Sequence, residues 1–178
     1  AHLTESDIYA GVRLACLEMI RTGTTAFNDM YFMMEAAADA VEESGIRACL
    51  SYCMIDNGDA EKLESEKRAM QATVKNLKAR NNERILPGVS PHAVYTVSEE
   101  GLRWCAEYAK AENVPLHVHV AETEQEVTDC IAAHGMRPPA WLDKCGVLSP
   151  SCIAAHSCWL DADDIRLYAE RGVTAVHN

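Results

Sequence analysis

Two patterns of apolar residues alternate along this chain. Stretches in which apolar residues recur every three or four positions predict amphipathic helices, and short continuous runs of Val, Ile, Ala and Leu predict buried parallel strands. The predicted helices are 5–21, 36–44, 60–81, one that starts at Ser98, one that opens with the capping box Thr123-x-x-Glu126, a short one ending at Cys145, and 161–171. The predicted strands are 24–29, 46–55, 85–90, 114–121, 152–155 and 173–176.

About six strands, each preceded by a helix, indicate an α/β fold with a parallel sheet. A doubly wound sheet and an eightfold (β/α) barrel both fit this pattern. The chain contains no GxGxxG and no GxxxxGK[ST] segment, which weakens the case for a nucleotide-binding open sheet. A closed barrel usually needs about 250 residues. We therefore expect residues 1–178 to be the central part of a (β/α)8 barrel domain, with the first and last strands missing.

Composition narrows the classes of partner. The formal net charge of −11 argues against nucleic acid, because phosphate binding needs clustered Lys and Arg. The apolar runs are too short to cross a membrane.

Eight cysteines without a CxxC motif predict reduced, mostly buried thiols in a cytoplasmic protein. The chain begins at Ala1 and ends directly after a strand-like run, so we expect a piece of a longer protein.

Polar residues able to carry out chemistry gather where the predicted strands end, which in a barrel is the active-site face. His117 and His119 are two apart on a strand and face the same side, so both could reach a metal. A lone His-x-His is a weak signal, and by itself it favours the alternative that one of them packs in the interior. His119-x-x-Glu122 places a carboxylate just beyond an imidazole, where it could take a proton from an activated water. The alternative is that Glu122 only favours the next helix N-terminus.

Two further histidines follow apolar strands. His156 could stabilise a developing oxyanion, and His92, in a turn stiffened by Pro91, could contact substrate. Taken alone, each is more simply explained as a structural histidine. Four histidine-bearing strand ends in succession are much harder to attribute to chance, and they point to an active site.

At these residues the chain resembles the amidohydrolase superfamily, and within it the branch of 5′-methylthioadenosine/S-adenosylhomocysteine deaminases and triazine chlorohydrolases. The matching segments run in the family's order and cover essentially the whole chain. They are Gly23-Thr-Thr-Ala-Phe-Asn-Asp-Met-Tyr-Phe32, Ser90-Pro-His-Ala-Val-Tyr-Thr96, His117-Val-His-Val-Ala-Glu-Thr123, Ala154-Ala-His-Ser-Cys-Trp-Leu160 and Gly172-Val-Thr-Ala-Val-His-Asn178.

The resemblance implies a metal-dependent hydrolase, most simply a deaminase of an adenosine-type nucleoside, that uses Zn²⁺ or Fe²⁺ and a metal-bound hydroxide. His119 would be a metal ligand and Glu122 the proton shuttle. His156 would stabilise the attacking water or the tetrahedral intermediate. His92 would hydrogen-bond the substrate, and Glu35 would bind ribose hydroxyls.

The sequence also departs from the family. The His-x-His of the first strand and the Asp of the last strand have no counterpart here, and Val94 stands where the family usually has Pro. Two alternatives therefore stay open. One is a related chemistry, as in a triazine chlorohydrolase or a guanine or cytosine deaminase. The other is an inactive barrel fragment whose two open strand edges favour association into a homo-oligomer.

Overall fold

A computed structural model describes residues 2–178, in which seven helices alternate with six strands. The helices are α1 (Glu5–Arg21), α2 (Met34–Ser44), α3 (Ala60–Ala79), α4 (Glu99–Glu112), α5 (Glu124–His134), α6 (Pro138–Lys144) and α7 (Ala162–Arg171). The strands are β1 (Ala26–Tyr31), β2 (Arg47–Met54), β3 (Ile85–Pro91), β4 (Leu116–Val120), β5 (Cys152–His156) and β6 (Thr174–His177). The predicted order of elements is confirmed.

The strands are parallel and their order in the sheet follows the chain, β1 to β6. Each strand therefore pairs with the next one along the chain, as repeated βα units require. The register pairs Phe27 with Ala48, and His119 with Ala155. Consequently the carboxyl ends of β4 and β5, with their histidines, lie side by side.

The chain divides into two compact units. Of the described residues, the first comprises 2–53 and 68–88, and the second 54–67 and 89–178. The first unit has a core of α1, α2 and β2, in which Met34, Val41 and Leu50 are fully buried. In the second unit Leu102, Val118 and Leu142 are fully buried. β2 and β3 each pass from one unit into the other.

Residues that favour caps begin or end several of the helices. Ser98 accepts a hydrogen bond from the Gly101 N–H at the start of α4, as predicted. The start of α2 was predicted two residues too late. Met33 is left-handed with a φ of 55° and caps α2 without a side-chain hydrogen bond, so no local signal marked this boundary.

Apolar surface remains at both ends of the described chain. Leu14, Leu17 and Ile20 of α1 are exposed, and every residue of β6 is exposed. All eight cysteines are free, and six of them are buried, which agrees with the expected burial of most of the thiols. Among residues 2–178 no helix is both long enough and apolar enough to cross a bilayer.

Candidate active site

The second unit brings four of the predicted site residues to neighbouring strand ends. His92 directly follows β3, His119 lies on β4, and His156 is the last residue of β5. Glu122 comes two residues after the end of β4. A backbone hydrogen bond joins two of these residues, since the His119 N–H donates to the His92 carbonyl at 3.0 Å. The parallel sheet thus assembles side chains that are far apart in sequence.

His119 lies at the centre of a row of imidazoles. Its ring centroid is 4.9 Å from that of His92 and 4.9 Å from that of His156, both in steep edge-on arrangements. Burial, reinforced by the neighbouring His92 and His156, lowers the pKa of His119 to about 4. The ring is therefore neutral at pH 7 and keeps a nitrogen lone pair, as a metal ligand or a hydrogen-bond acceptor must.

Glu122 faces His156 across the two strand ends. The Glu122 Oε2 atom is 3.6 Å from the His156 Nε2 atom, and the two side chains are 41% and 22% exposed. This distance is longer than a direct hydrogen bond, so the two groups are close neighbours that do not bond to each other directly. A carboxylate and an imidazole so placed can both contact one reactant that lies against them.

Hydrogen bonds hold both the backbone and the ring of His92. Its backbone N–H donates to the Met54 carbonyl at 3.1 Å, and its Nδ1 lies 2.8 Å from the Thr96 hydroxyl oxygen. The Thr96 hydroxyl donates to the Ala93 carbonyl, so we assign the Nδ1–H of His92 as the donor to Thr96. Burial lowers the pKa of His92. A neutral ring of this tautomer presents Nε2 as an acceptor.

His117 lies beneath this row and is 6% exposed. Its ring centroid is 5.7 Å from that of His119, and its Nδ1 has no hydrogen-bond partner among the residues that the structure describes. Burial lowers its pKa to about 4. This environment fits the interior, packing alternative of the two that the sequence allowed for His117.

Three residues at these strand ends have left-handed backbones despite carrying side chains. The φ angles are 49° at Ala121, 71° at His156 and 54° at Ser157. Each such conformation costs roughly 1–2 kcal/mol for an L residue. Backbone hydrogen bonds offset this cost, since the Cys158 and Trp159 N–H groups donate to the Ala121 carbonyl at 3.1 and 3.0 Å. The strained turns after β4 and β5 are thus bonded to each other.

Glu126, which the sequence placed only in a helix cap, also contacts the turn that follows β4. Thr123 does accept from the Glu126 N–H at 3.1 Å, which forms one half of the predicted capping box. The Glu126 carboxylate, however, accepts from the backbone N–H groups of Ala121 at 2.8 Å and Glu122 at 2.9 Å. The sequence predicted that Glu126 belongs to a capping box. It could not predict the partners of the Glu126 side chain, because they depend on the conformation of the turn before the helix.

Glu35, the remaining predicted site residue, lies in the first unit. It belongs to the first turn of α2, where its Oε1 accepts a hydrogen bond from the Asn76 amide at 3.1 Å. Its carbonyl accepts from Arg80 at 3.0 Å. Its assignment to substrate binding stays a prediction.

The donors for a metal are suitable in kind but few in number. The neutral imidazole of His119 is a ligand type that Zn²⁺ and Fe²⁺ accept. Within residues 2–178, however, no group of three or more His, Cys, Asp or Glu side chains is arranged to hold a metal ion. Zinc sites use three or four protein ligands. A complete site would therefore need further ligands from outside these residues.

Comparison with known proteins decides the family. A family model described as "Amidohydrolase family" matches residues 2–178. The chain belongs to the amidohydrolase family. The predicted recognition and the (β/α)-barrel fold class are thereby confirmed, with six parallel βα units present in this chain.

Named relatives of this amidohydrolase chain are deaminases. It is 59% identical over 178 residues to a 5′-deoxyadenosine deaminase of Methanoregula boonei, covering 100% of this chain and 40% of that protein. It is 44% identical over 177 residues to 5-methylthioadenosine/S-adenosylhomocysteine deaminase 1 of Archaeoglobus fulgidus, covering 99% of this chain and 41% of that protein. The chain thus spans about two fifths of the length of these relatives.

A solved structure agrees with both the family and the fold. The crystal structure of an adenosine deaminase from Xanthomonas campestris with bound zinc superposes with a TM-score of 0.85 at 32% sequence identity. The match covers 98% of this chain and 40% of that one. The chain therefore shares its fold with part of that deaminase.

Proposed function

We propose that the full-length protein containing this chain is a hydrolytic deaminase of an adenosine-type nucleoside, such as 5′-deoxyadenosine or 5′-methylthioadenosine. The observation that carries the proposal is the placement of Glu122 3.6 Å from His156, next to the neutral imidazole of His119. The three similar proteins described above are all named as deaminases of adenosine-type nucleosides. Their names support the choice of substrate class.

The reaction replaces the exocyclic amine of the ring by oxygen. Water adds to the amine-bearing carbon, a ring nitrogen gains a proton, and the C–N bond then breaks to release ammonia. One group must therefore remove a proton from water and deliver protons to two nitrogens in turn. Glu122 is assigned this task because its carboxylate is partly exposed at the strand end and can exchange protons with a bound reactant.

The neighbouring histidines are assigned to stabilising developing charge and to positioning the substrate. His156 stabilises the oxygen that enters, because its Nε2 points to the same space as the Glu122 carboxylate. His92 accepts a hydrogen bond from the substrate through Nε2, since its Nδ1–H is donated to Thr96. Glu35 is assigned to the ribose hydroxyls, for which a carboxylate is a suitable acceptor.

We assign His119 as one ligand of a divalent metal, Zn²⁺ or Fe²⁺. The metal, when bound, lowers the pKa of a water molecule and so supplies a nucleophile at neutral pH. The neutral state of the His119 ring and the zinc in the Xanthomonas campestris deaminase structure support this assignment. The other ligands are expected from segments of the full-length protein that lie outside residues 2–178.

We also propose a reducing, cytoplasmic setting, which eight free cysteines suit. The exposed edge strand β6 and the exposed apolar face of α1 are expected to be covered in the full-length protein by the rest of the barrel, or by a second copy.

The test is turnover by the purified full-length protein, measured as ammonia release and, for atrazine, as chloride release, with metal content measured on the same sample. The panel contains 5′-deoxyadenosine, 5′-methylthioadenosine, S-adenosylhomocysteine, guanine, cytosine and atrazine. We expect ammonia from the adenosine-type nucleosides and about one metal ion per chain. Turnover of atrazine or of the free bases instead would replace the substrate class, and no turnover by metal-loaded protein would overturn the proposal.

A further inference from the structure

We propose that Glu126 is a positioning residue whose buried carboxylate holds the backbone of Glu122 in place beside His156. The catalytic effect of Glu126 rests on the proposed function, because that effect assumes that Glu122 moves the protons. The geometric part of the proposal, that Glu126 fixes the turn after β4, does not depend on any activity.

The contacts of the carboxylate are all directed at the turn. Glu126 Oε1 accepts from the Ala121 N–H at 2.8 Å, and Oε2 accepts from the Glu122 N–H at 2.9 Å. Glu126 is 5% exposed, so water competes little for these bonds. A buried carboxylate that accepts two amide hydrogens is a strong and directional contact. It leaves the Glu122 peptide little freedom to move.

Two other helices of the same chain show what an ordinary cap looks like. In α1, Asp7 at the third helical position accepts from the N–H of the cap residue Thr4. In α7, Asp164 accepts in the same way from the cap residue Asp161. Glu126 occupies the same position in α5 but is directed at the two residues before the cap. Helix capping alone therefore does not account for its contacts.

The turn held by Glu126 is strained and is also bonded on its other side. Ala121 has a φ of 49°, and its carbonyl accepts from the Cys158 and Trp159 N–H groups of the turn after β5. The Ala121 residue is thus fixed through both its N–H and its carbonyl. Because the second turn begins at His156, the same bonds set the separation of Glu122 and His156.

Removing the carboxylate should let this arrangement relax. The two amides would lose their acceptor, and the left-handed conformation of Ala121 would lose a contact that offsets its cost. A displacement of about 1 Å at a catalytic group can cost on the order of 10²-fold in rate. We expect substrate binding to change little, since Glu126 is buried behind the turn.

The first arm of the test compares Glu126→Gln with Glu124→Gln in the full-length, metal-loaded protein. Glu124 lies in the same helical turn but is exposed, so its variant removes an equal charge without disturbing the bonds to the turn. We expect Glu126→Gln to lower kcat by roughly 10- to 100-fold with KM changed less than about threefold and metal content unchanged. Glu124→Gln should match the unaltered protein.

Two further variants show whether the effect passes through Glu122. The Glu126→Asp variant keeps the charge, but its side chain is too short to reach both amides, so its kcat should also fall. If Glu126→Gln does not fold, Glu126→Asp replaces it in the test. In a Glu122→Gln background, adding Glu126→Gln should lower the residual rate by less than about twofold, because the residue acts through Glu122. Full, multiplicative losses would overturn the proposal.

The second arm is amide hydrogen exchange, which needs no substrate. The segment containing Ala121 and Glu122 should exchange at least about tenfold faster in Glu126→Gln than in Glu124→Gln. Unchanged exchange would overturn the proposal whether or not the protein is a deaminase. Faster exchange in a protein without ammonia release would instead reject the proposed function and keep the turn-fixing contact.

Discussion

The Glu122 carboxylate and the His156 imidazole lie 3.6 Å apart, although they follow different strands. Their separation is set by the parallel pairing of β4 with β5 and by backbone hydrogen bonds between the two turns that follow these strands. The Ser157 N–H, for example, donates to the Val120 carbonyl at 2.9 Å. The site therefore depends on a rigid scaffold as much as on its reactive side chains.

The first prediction concerns Gly101, in the first turn of α4. A Cβ atom there would lie 2.6 Å from Asp56 Oδ2 and 2.8 Å from Val97 Cγ1. Asp56 cannot move away easily, because its carboxylate accepts from the backbone N–H and hydroxyl of Ser98. Gly101→Ala should therefore reduce the free energy of unfolding by roughly 1–3 kcal/mol, measured by denaturant unfolding.

Gly11 provides the matched control, since a Cβ atom there meets nothing within 4 Å. It lies inside α1, where alanine is the better helix former. Gly11→Ala should increase the free energy of unfolding by about 0.5–1 kcal/mol. If both substitutions changed stability in the same direction, the crowding described at Gly101 would be wrong.

A second prediction concerns Arg137, which caps α6 and joins it to α7. Its Nε lies 2.7 Å from Oδ2 of the buried Asp164, and its guanidinium also donates to the Trp159 carbonyl. Lysine keeps the charge but cannot make both contacts. Arg137→Lys should lower the free energy of unfolding by roughly 1–3 kcal/mol in the same assay.

Arg166→Lys serves as the comparison, because Arg166 pairs with Asp163 on the surface with both side chains well exposed. Exposed ion pairs contribute little, so the change should stay within about 0.5 kcal/mol. Equal losses for the two arginines would indicate that the buried contact to Asp164 adds no stability.

A third prediction concerns the reactivity of buried thiols. Burial raises the pKa of Cys130 and Cys145 to about 11, and that of Cys152 to about 12. Because the thiolate is the reactive form and the raised pKa keeps it scarce at pH 8, these cysteines should resist iodoacetamide until the protein unfolds. Peptide mass spectrometry of native and denatured samples measures this, and rapid native labelling of Cys152 would contradict it.

Much of the fold was predictable because the strands are uniformly apolar and the helices are periodic. His92, His119 and His156 could be placed at strand ends for the same reason. The turns could not be predicted, because alanine and histidine give no local signal for the left-handed conformations of Ala121 and His156. The contacts of Glu126 were missed as well, since they depend on that turn and not on the Thr-x-x-Glu pattern.

Glu35 illustrates a different limit. The resemblance indicated it only by its position after a strand, and the start of α2 was predicted beyond it. In the structure Glu35 lies inside α2 and its carboxylate bonds to Asn76. Long-range contacts of this kind leave no trace in the local sequence pattern, so the assignment to ribose binding needs its own test by substitution.

The most direct test of the central claim is the turnover of 5′-deoxyadenosine and 5′-methylthioadenosine by the full-length protein carrying Glu122→Gln. The amide keeps the shape of the side chain but cannot accept and return a proton, so kcat should fall by at least about 10²-fold. Metal content and thermal stability should match those of the unaltered protein. Turnover that persists near the unaltered rate in a metal-loaded Glu122→Gln protein would contradict the proton-shuttle assignment and the account of the site built on it.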